Sequence, residues 1–148
     1  MTDVPTLPVV WRPRTTRVLA YTTAGVLVLG MIVLAVVVAP QFKLVDRILL
    51  VVFGLFMAWV LHMLARCRVV AGPGGVTIVN AFRTRRLEWA EIIDVDMTVG
   101  EPWPTLDLSD GTSIGAMGIN GAERALASRQ VEELRSLVHQ HGEAPDRS

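Results

Sequence analysis

The stretches VLAYTTAGVLVLGMIVLAVVVA, residues 18–39, and ILLVVFGLFMAWVLHMLA, residues 48–65, decide the architecture of this chain. The first has no charged residue, and the second has one titratable residue, His62. A bilayer core of about 30 Å requires about 20 helical residues, so each stretch is long enough to cross it once. Either stretch would expose a large apolar surface in water. The sequence therefore predicts a two-helix transmembrane hairpin over residues 18–65, in which Gly25 and Gly30 let the helices approach closely.

The rest of the composition leaves room for one small domain. The chain has 148 residues and is 51% hydrophobic, and the two apolar stretches account for its mean hydropathy of +0.45. Residues 66–142 remain for folding, which suffices for a single domain. Residues 1–17 contain three prolines and no apolar period, which predicts an irregular tail with Trp11 at a membrane interface. Residues 143–148 are predicted to be a disordered tail.

The formal net charge is zero, but the charges are segregated along the chain. Basic residues collect beside the apolar stretches: Arg12, Arg14 and Arg17 before the first, and Arg66, Arg68, Arg83, Arg85 and Arg86 after the second. From residue 87 onward, four arginines stand against twelve acidic residues. Because basic flanks are retained in the cytoplasm, this bias predicts an integral protein of the cell membrane with both termini cytoplasmic. A nucleic-acid binder shows a basic face over a whole domain, so we expect no nucleic-acid partner.

After residue 68 the pattern changes to short segments of alternating polarity, which is typical of half-buried strands. Strands are predicted at residues 68–71, 76–82, 86–89, 93–99, 106–108 and 112–117. Turns are indicated by Gly72-Pro73-Gly74-Gly75 and by Asp110-Gly111. A helix is predicted over residues 120–141, with an apolar face formed by Leu126, Val131, Leu134, Leu137 and Val138. The domain is therefore predicted to be α+β, an antiparallel sheet of about six strands covered by a C-terminal helix.

Three segments carry a resemblance to a known family: GGVTIVN at residues 74–80, RTRRLEWAEI at residues 83–92 and LDLSDGT at residues 106–112. With the preceding hairpin, they resemble the membrane-anchored pleckstrin-homology-like (PH-like) proteins of actinobacteria, of the low molecular weight protein antigen type. The resemblance covers residues 66–141. It implies a strongly bent sheet with a C-terminal helix, here with one strand fewer than the family fold, and it implies no enzymatic activity.

The arginine-rich turn is the predicted contact site. In eukaryotic relatives of this fold, basic residues at a similar strand turn bind phosphoinositide headgroups. If successive strands run away from the membrane and back, the turn at residues 83–86 and the loop at residues 100–104 both face the bilayer. The predicted lipid or partner contact residues are Arg66, Arg68, Arg83, Arg85, Arg86 and Trp103. The alternative is that these arginines only retain the topology and form a solvated turn.

The sequence shows no arrangement of residues that is typical of a catalytic or metal-binding site. Asp94 and Asp96 fall on the solvent face of a predicted strand, and His139 and His141 point to different sides of a helix. Residues 72–75 lack the Lys and Ser/Thr of a phosphate-binding loop. The single Cys67 excludes an internal disulfide. We therefore expect no enzyme activity, no metal, no cofactor and no small-molecule substrate.

Two functions remain open from the sequence. The first is a membrane-anchored module at the cytoplasmic face that scaffolds or recruits a protein partner and contacts anionic lipid headgroups. The second is an accessory subunit of a larger integral-membrane complex, of the respiratory, secretion or cell-envelope kind, whose helices pack against those of an integral-membrane partner.

Overall fold

The computed structural model describes residues 4–38 and 40–142, so the predicted disordered tail at residues 143–148 lies outside the described residues. The chain divides into two compact units. One unit is Arg14–Arg66, and the other combines the residues before Arg14 with those after Arg66. The first unit is therefore inserted into the sequence of the second.

The inserted unit consists of two helices, α1 (Arg14–Val37) and α2 (Leu44–Ala65). Both are long and apolar enough to span a membrane, and most of their side chains are exposed in the isolated chain. The start of α1 lies beside the end of α2, where Tyr21 Oη is 3.1 Å from His62 Nδ1. The end of α1 lies beside the start of α2, where Arg47 Nε donates to Ala35 O (2.9 Å). The two helices are thus antiparallel neighbours.

The glycine that allows α1 and α2 to approach is Gly54 rather than the expected pair on α1. A Cβ on Gly54 would lie 3.0 Å from Met31 Cγ, whereas a Cβ on Gly25 or Gly30 would meet nothing within 4 Å. The expectation that Gly25 and Gly30 serve this contact is wrong, since both point away from α2.

The second unit begins with a four-stranded antiparallel sheet, sheet A, in the order β1-β2-β3-β4. Its strands are β1 (Val9–Trp11), β2 (Arg68–Gly72), β3 (Gly75–Val79) and β4 (Thr84–Leu87). The tail predicted to be irregular therefore contains a strand, and Trp11 lies in the core with 3% of its surface exposed rather than at a membrane interface. A strand of three residues is too short to show a period of two. With this strand, the described residues form seven strands, one more than predicted.

A three-stranded sheet, sheet B, follows in the order β5-β6-β7. Its strands are β5 (Ile92–Asp96), β6 (Thr105–Leu108) and β7 (Ser113–Gly115), and a 3₁₀ turn at Trp89–Glu91 joins it to sheet A. The alternation predicted for residues 93–99 is confirmed at Val95 and Met97, which face the core, but it is wrong at Ile93, because the register shifts between Ile92 and Asp94. Ile92 is consequently buried while Ile93 is exposed.

Helix α3 (Arg124–Gly142) closes the domain. Its buried face is formed by Ala127, Val131, Leu134, Leu137 and Val138, and Leu126 is partly exposed instead. These side chains join one core with the inner faces of both sheets, including Val69, Ile78 and Leu106. The predicted arrangement of strands followed by a covering helix is confirmed, with seven strands in two sheets.

Candidate functional site: the hairpin-side end of sheet A

Three segments of the domain meet at the end of sheet A where the chain passes to and from the two helices. The strand register pairs Trp11 with Val69 and Arg68 with Val79. Residues 12–13 therefore continue beside residues 67–68, and the turn at residues 80–83 continues beside Cys67. We call these three segments, residues 12–13, 67–68 and 80–83, the hairpin-side end.

The turn at residues 80–83 is fixed in place by Asn80. Its backbone N–H donates to Arg83 O (2.9 Å), which closes the turn. Its side-chain Nδ2 donates to Gly115 O (2.7 Å), and its Oδ1 accepts from Met117 N (3.0 Å). The turn is thus bonded to the end of sheet B, and it leaves Phe82 77% exposed beside the exposed Arg83.

The arginines after Arg83 do not form one cluster. Because side chains alternate along a strand, Arg85 and Arg86 project from opposite faces of β4. Arg85 Nη2 lies 3.9 Å from Asp110 Oδ2, so it forms a partly exposed ion pair with sheet B. Arg86 pairs with Thr77 of β3, whereas Arg68 pairs with Val79 of the same strand. The spacing of strands and residues in a sheet therefore separates the Cα atoms of Arg68 and Arg86 by about 12 Å.

Trp103 reaches the same region through Gly115. The ring is half-buried against that residue, and a Cβ on Gly115 would lie 2.5 Å from the indole Nε1. The glycine thus contacts Trp103 on one side and accepts a hydrogen bond from Asn80 through its carbonyl. Much of the indole surface is therefore used in packing.

Of the six predicted contact residues, the structure places Arg68 and Arg83 at the hairpin-side end. Arg66 is exposed directly after α2, and Trp103 is linked to this end through Gly115. Sequence reasoning missed Arg12 and Phe82. Arg12 was missed because β1 has no detectable period, and Phe82 because it was assigned to a strand although Asn80 is a residue that favours turns.

Charge divides the domain into two halves. Among the described residues, 4–13 and 67–87 carry five arginines and no acidic residue, whereas residues 88–142 carry ten acidic residues and three arginines. Sheet A is therefore basic, and sheet B with α3 is acidic. Since the segregation follows the sheets, it gives the domain one positive and one negative side.

The acidic half contains a groove of about 720 Å³ between the β5–β6 loop and the first turns of α3. Glu101 Oε2 accepts from Thr98 N (3.0 Å), which closes the loop and leaves Val99 87% exposed at the groove. Arg135 also lines the groove, but its charge is already matched by Asp94, Asp96 and Glu132 at 3.5–3.8 Å. The carboxylate of Glu101, the exposed Arg124 and the apolar Val99 also line the groove, so its lining carries charges of both signs.

The turn between β6 and β7 carries one perturbed carboxylate. Thr112 donates to Asp110 Oδ1 from its hydroxyl (2.6 Å) and from its backbone N–H (2.8 Å). These hydrogen bonds favour the ionised form, so they hold the pKa of Asp110 below its ordinary value, with a smaller contribution from Arg85.

Within residues 4–38 and 40–142, no group of three or more His, Cys, Asp or Glu side chains is arranged to hold a metal ion. Asp94 and Asp96 are exposed and paired with Arg135. His141 stacks on Trp89 with ring centroids 5.1 Å apart, so it belongs to the packing of α3.

Comparison with known proteins agrees with this architecture. Residues 66–137 match the family model described as bacterial PH domain, and the fold of this unit is PH-like. The chain is 27% identical over 135 residues to an uncharacterized protein of Mycobacterium bovis, an alignment that covers 88% of each chain. Uncharacterized proteins from two strains of Mycobacterium tuberculosis match with the same identity and coverage. No solved structure matches. The bacterial PH and actinobacterial parts of the predicted resemblance are thereby confirmed, and the membrane anchoring and the antigen type stay predictions.

Proposed function

We propose that this chain is a non-catalytic PH-like module that two transmembrane helices hold at the cytoplasmic face of the cell membrane, where it recruits a protein partner. The observation that carries the proposal is the position of the helices. They are inserted between β1 and β2, which are paired neighbours in one sheet.

This insertion constrains the topology. Val9–Trp11 precedes α1 and Arg68–Gly72 follows α2, yet the two strands exchange hydrogen bonds. If each helix crosses the membrane once, both strands must lie on the same side, which two crossings permit and one does not. The domain is then tethered to the bilayer at two neighbouring points.

Basic charge supports placing the domain in the cytoplasm and near anionic lipid. Arg12, Arg68 and Arg83 belong to the three segments of the hairpin-side end, and Arg66 precedes one of these segments directly in the sequence. Each arginine near an anionic leaflet contributes about 1 kcal/mol of attraction. Arg85 and Arg86 are excluded from this proposed contact, because one pairs with Asp110 and the other lies farther along β4.

The groove of the acidic half is the proposed partner site. Val99 is almost fully exposed there, and the groove is lined by three acidic residues, Asp96, Glu101 and Glu132, against two arginines. Charge complementarity therefore favours a partner segment that presents an apolar side chain between basic residues.

The topology can be tested by labelling single-cysteine variants with a membrane-impermeant maleimide in intact cells. Thr6→Cys, Lys43→Cys and Ser109→Cys report on the segment before β1, the loop between the helices and sheet B, in a Cys67→Ser background. We expect Lys43→Cys to react from outside and the other two only after permeabilisation. Reaction of Thr6→Cys and Ser109→Cys from opposite sides would contradict the proposal.

The partner site is tested by native sizing of the full chain in mild detergent. Val99→Glu should release a co-purifying partner, whereas Ile93→Glu, an exposed apolar position on β5 outside the groove, should retain it. Retention in both variants would remove the groove from the proposal.

One observation favours the second function, an accessory subunit of a larger membrane complex. Gly25 and Gly30 on α1 face open space rather than α2, so a helix of another protein could approach them closely. In native sizing, Gly25→Leu and Gly30→Leu should then dissociate the complex, whereas the domain variant Val99→Glu should leave it intact.

A further inference from the structure

We infer that the turn at residues 80–83 inserts the ring of Phe82 into the headgroup region of an anionic phospholipid bilayer, with Arg83 binding the lipid phosphates. The inference rests on the proposed membrane anchoring. It adds a third attachment point to the two covalent tethers.

The exposure of Phe82 is imposed by the structure around it. The ring is 77% exposed, and among the described large apolar residues of the domain only Val99 is more exposed. Asn80 fixes the backbone of the turn through bonds to Arg83, Gly115 and Met117, and the turn in this position presents the ring to water. A rigid turn that presents an aromatic ring to water gains stability once that ring leaves water.

The location of the turn favours lipid as the occupant. Arg68, the first residue of β2, follows the last residue of α2 by three positions, so the two Cα atoms are at most about 11 Å apart whatever the angle between the units. The turn continues directly beside this start of β2, because Arg68 pairs with Val79. Under the proposed anchoring, the exposed ring therefore lies in a turn beside the part of the domain that follows the membrane helix directly in the chain.

The charges at this end agree with an anionic surface. Arg12, Arg68 and Arg83 belong to the three segments of the hairpin-side end, and these described segments contain no acidic residue. Arginine can keep its guanidinium at the phosphates while its aliphatic stem lies along apolar surface. Phe82 and Arg83 therefore offer adjacent apolar and basic groups to the two layers of a lipid interface.

The consequence is a fixed orientation of the domain. Two neighbouring tethers allow rotation about the line that joins them, and a third contact away from that line removes it. The groove at Val99 would then be presented to the cytoplasm in one direction, which lowers the entropy lost when a partner binds.

The test uses the full chain in nanodiscs, with 4-trifluoromethylphenylalanine placed at position 82 or, as the matched control, at position 93. Ile93 is 62% exposed on β5 of the same domain. Relaxation of the ¹⁹F signal by a water-soluble gadolinium chelate measures access to water. We expect the probe at position 82, but not that at position 93, to be shielded in discs containing phosphatidylglycerol. Equal access at the two positions would overturn the inference.

A second variant tests the role of charge. Arg83→Gln should lower the ratio of shielded to accessible probe at position 82 about fivefold, whereas Arg129→Gln on α3 should not change it. If the shielding of the probe at position 82 depends on protein concentration, a second copy of this chain rather than lipid covers the position. That result would overturn the inference of lipid contact. Maleimide labelling of the same samples tests the membrane anchoring separately. If the labelling agrees with an anchored domain but the probe at position 82 is accessible to water, only the lipid contact of Phe82 is contradicted.

Discussion

The indole Nε1 of Trp11 donates a 2.9 Å hydrogen bond to Oε2 of Glu133, 122 residues later in the chain. This bond connects the strand that precedes both apolar helices with the helix that ends the domain. The domain core therefore contains a side chain that is synthesised before the hairpin, and the core is completed only after the hairpin has been made.

Replacing Trp11 should unfold the domain although the residue lies outside the segment that matches the PH family. Trp11→Ala removes a buried ring and leaves Glu133 without its donor, so we expect a loss of about 3–5 kcal/mol in the free energy of unfolding. Val10→Ala, on the exposed face of the same strand, should cost under about 1 kcal/mol. Hydrogen-exchange mass spectrometry of the full chain in detergent measures both, and equal protection in the two variants would contradict the placement of β1.

Gly74, which precedes β3, and Gly75, which begins it, should differ sharply in their tolerance of a side chain. Gly75 has φ +146°, and a Cβ there would collide with the carbonyl oxygen of Leu87, while a Cβ on Gly74 would meet nothing within 4 Å. Gly75→Ala should therefore destabilise the domain by about 3 kcal/mol or more, and Gly74→Ala by about 0.5 kcal/mol or less. Denaturant unfolding of the two variants provides the comparison, and a similar midpoint for both would contradict the register of β3 and β4.

Local patterns predicted those parts of the fold that depend on residues close in sequence. The Pro-Gly turn at residues 72–75, the Asp-Gly turn at Asp110 and the apolar face of α3 were all visible, because each has a local physical signature. The strand β1 could not be predicted in this way, because three residues next to prolines show no periodic pattern. They form a strand by pairing with β2, which follows the hairpin in the sequence. The irregular register near Ile92 was missed for a related reason, as the sequence of β5 alternates without showing which positions face the core.

The candidate site was predicted only in part for the same reason. The basic turn was recognised from composition, but composition does not show that strand alternation sends Arg85 and Arg86 to opposite faces. Nor does it show that Trp103, in the loop between β5 and β6, packs on Gly115 at the end of β7. Arg12 joined the site through pairing of β1, which no local pattern indicated.

Arg135 should stabilise the edge of sheet B through geometry as well as charge. Its Nε and Nη2 donate to Val95 O at 3.1 and 2.5 Å, so one guanidinium satisfies a strand carbonyl while facing three carboxylates. Lysine cannot reproduce this fork, and Arg135→Lys should cost about 1–2 kcal/mol. Arg129→Lys, in an exposed pair with Glu133, should cost under about 0.5 kcal/mol. Thermal unfolding in detergent distinguishes the two, and an equal shift would contradict a special role for Arg135.

The acid stability of the β6–β7 turn should depend on the hydroxyl of Thr112. The pKa of Asp110 is lower in the folded chain than its ordinary value, so this carboxylate favours folding above about pH 3.9, and the contribution is lost as the pH falls through the lowered value. Thr112→Val removes the hydroxyl hydrogen bond, which lowers the pKa of Asp110 more than the backbone bond does. The substitution should therefore raise this pKa towards its ordinary value. Thr112→Ser should preserve it. An NMR titration of the Asp110 carboxyl carbon measures the change, and identical values in Val and Ser variants would assign the shift to the backbone bond instead.

Asn80 should couple the stability of the domain to the position of Phe82. Its amide donates to Gly115 O and accepts from Met117 N, so Asn80→Ala leaves two partly buried backbone groups unpaired and should cost about 2–3 kcal/mol. Asn80→Asp keeps the acceptor for Met117 but places a carboxylate against the carbonyl of Gly115, so exchange at the Met117 amide should stay slow while the turn loosens. If Phe82 binds lipid as a rigid turn, both variants should lose the shielding of a probe at position 82 in anionic nanodiscs. Shielding that survives Asn80→Ala in a folded domain would show that the ring reaches the bilayer without the support of this residue.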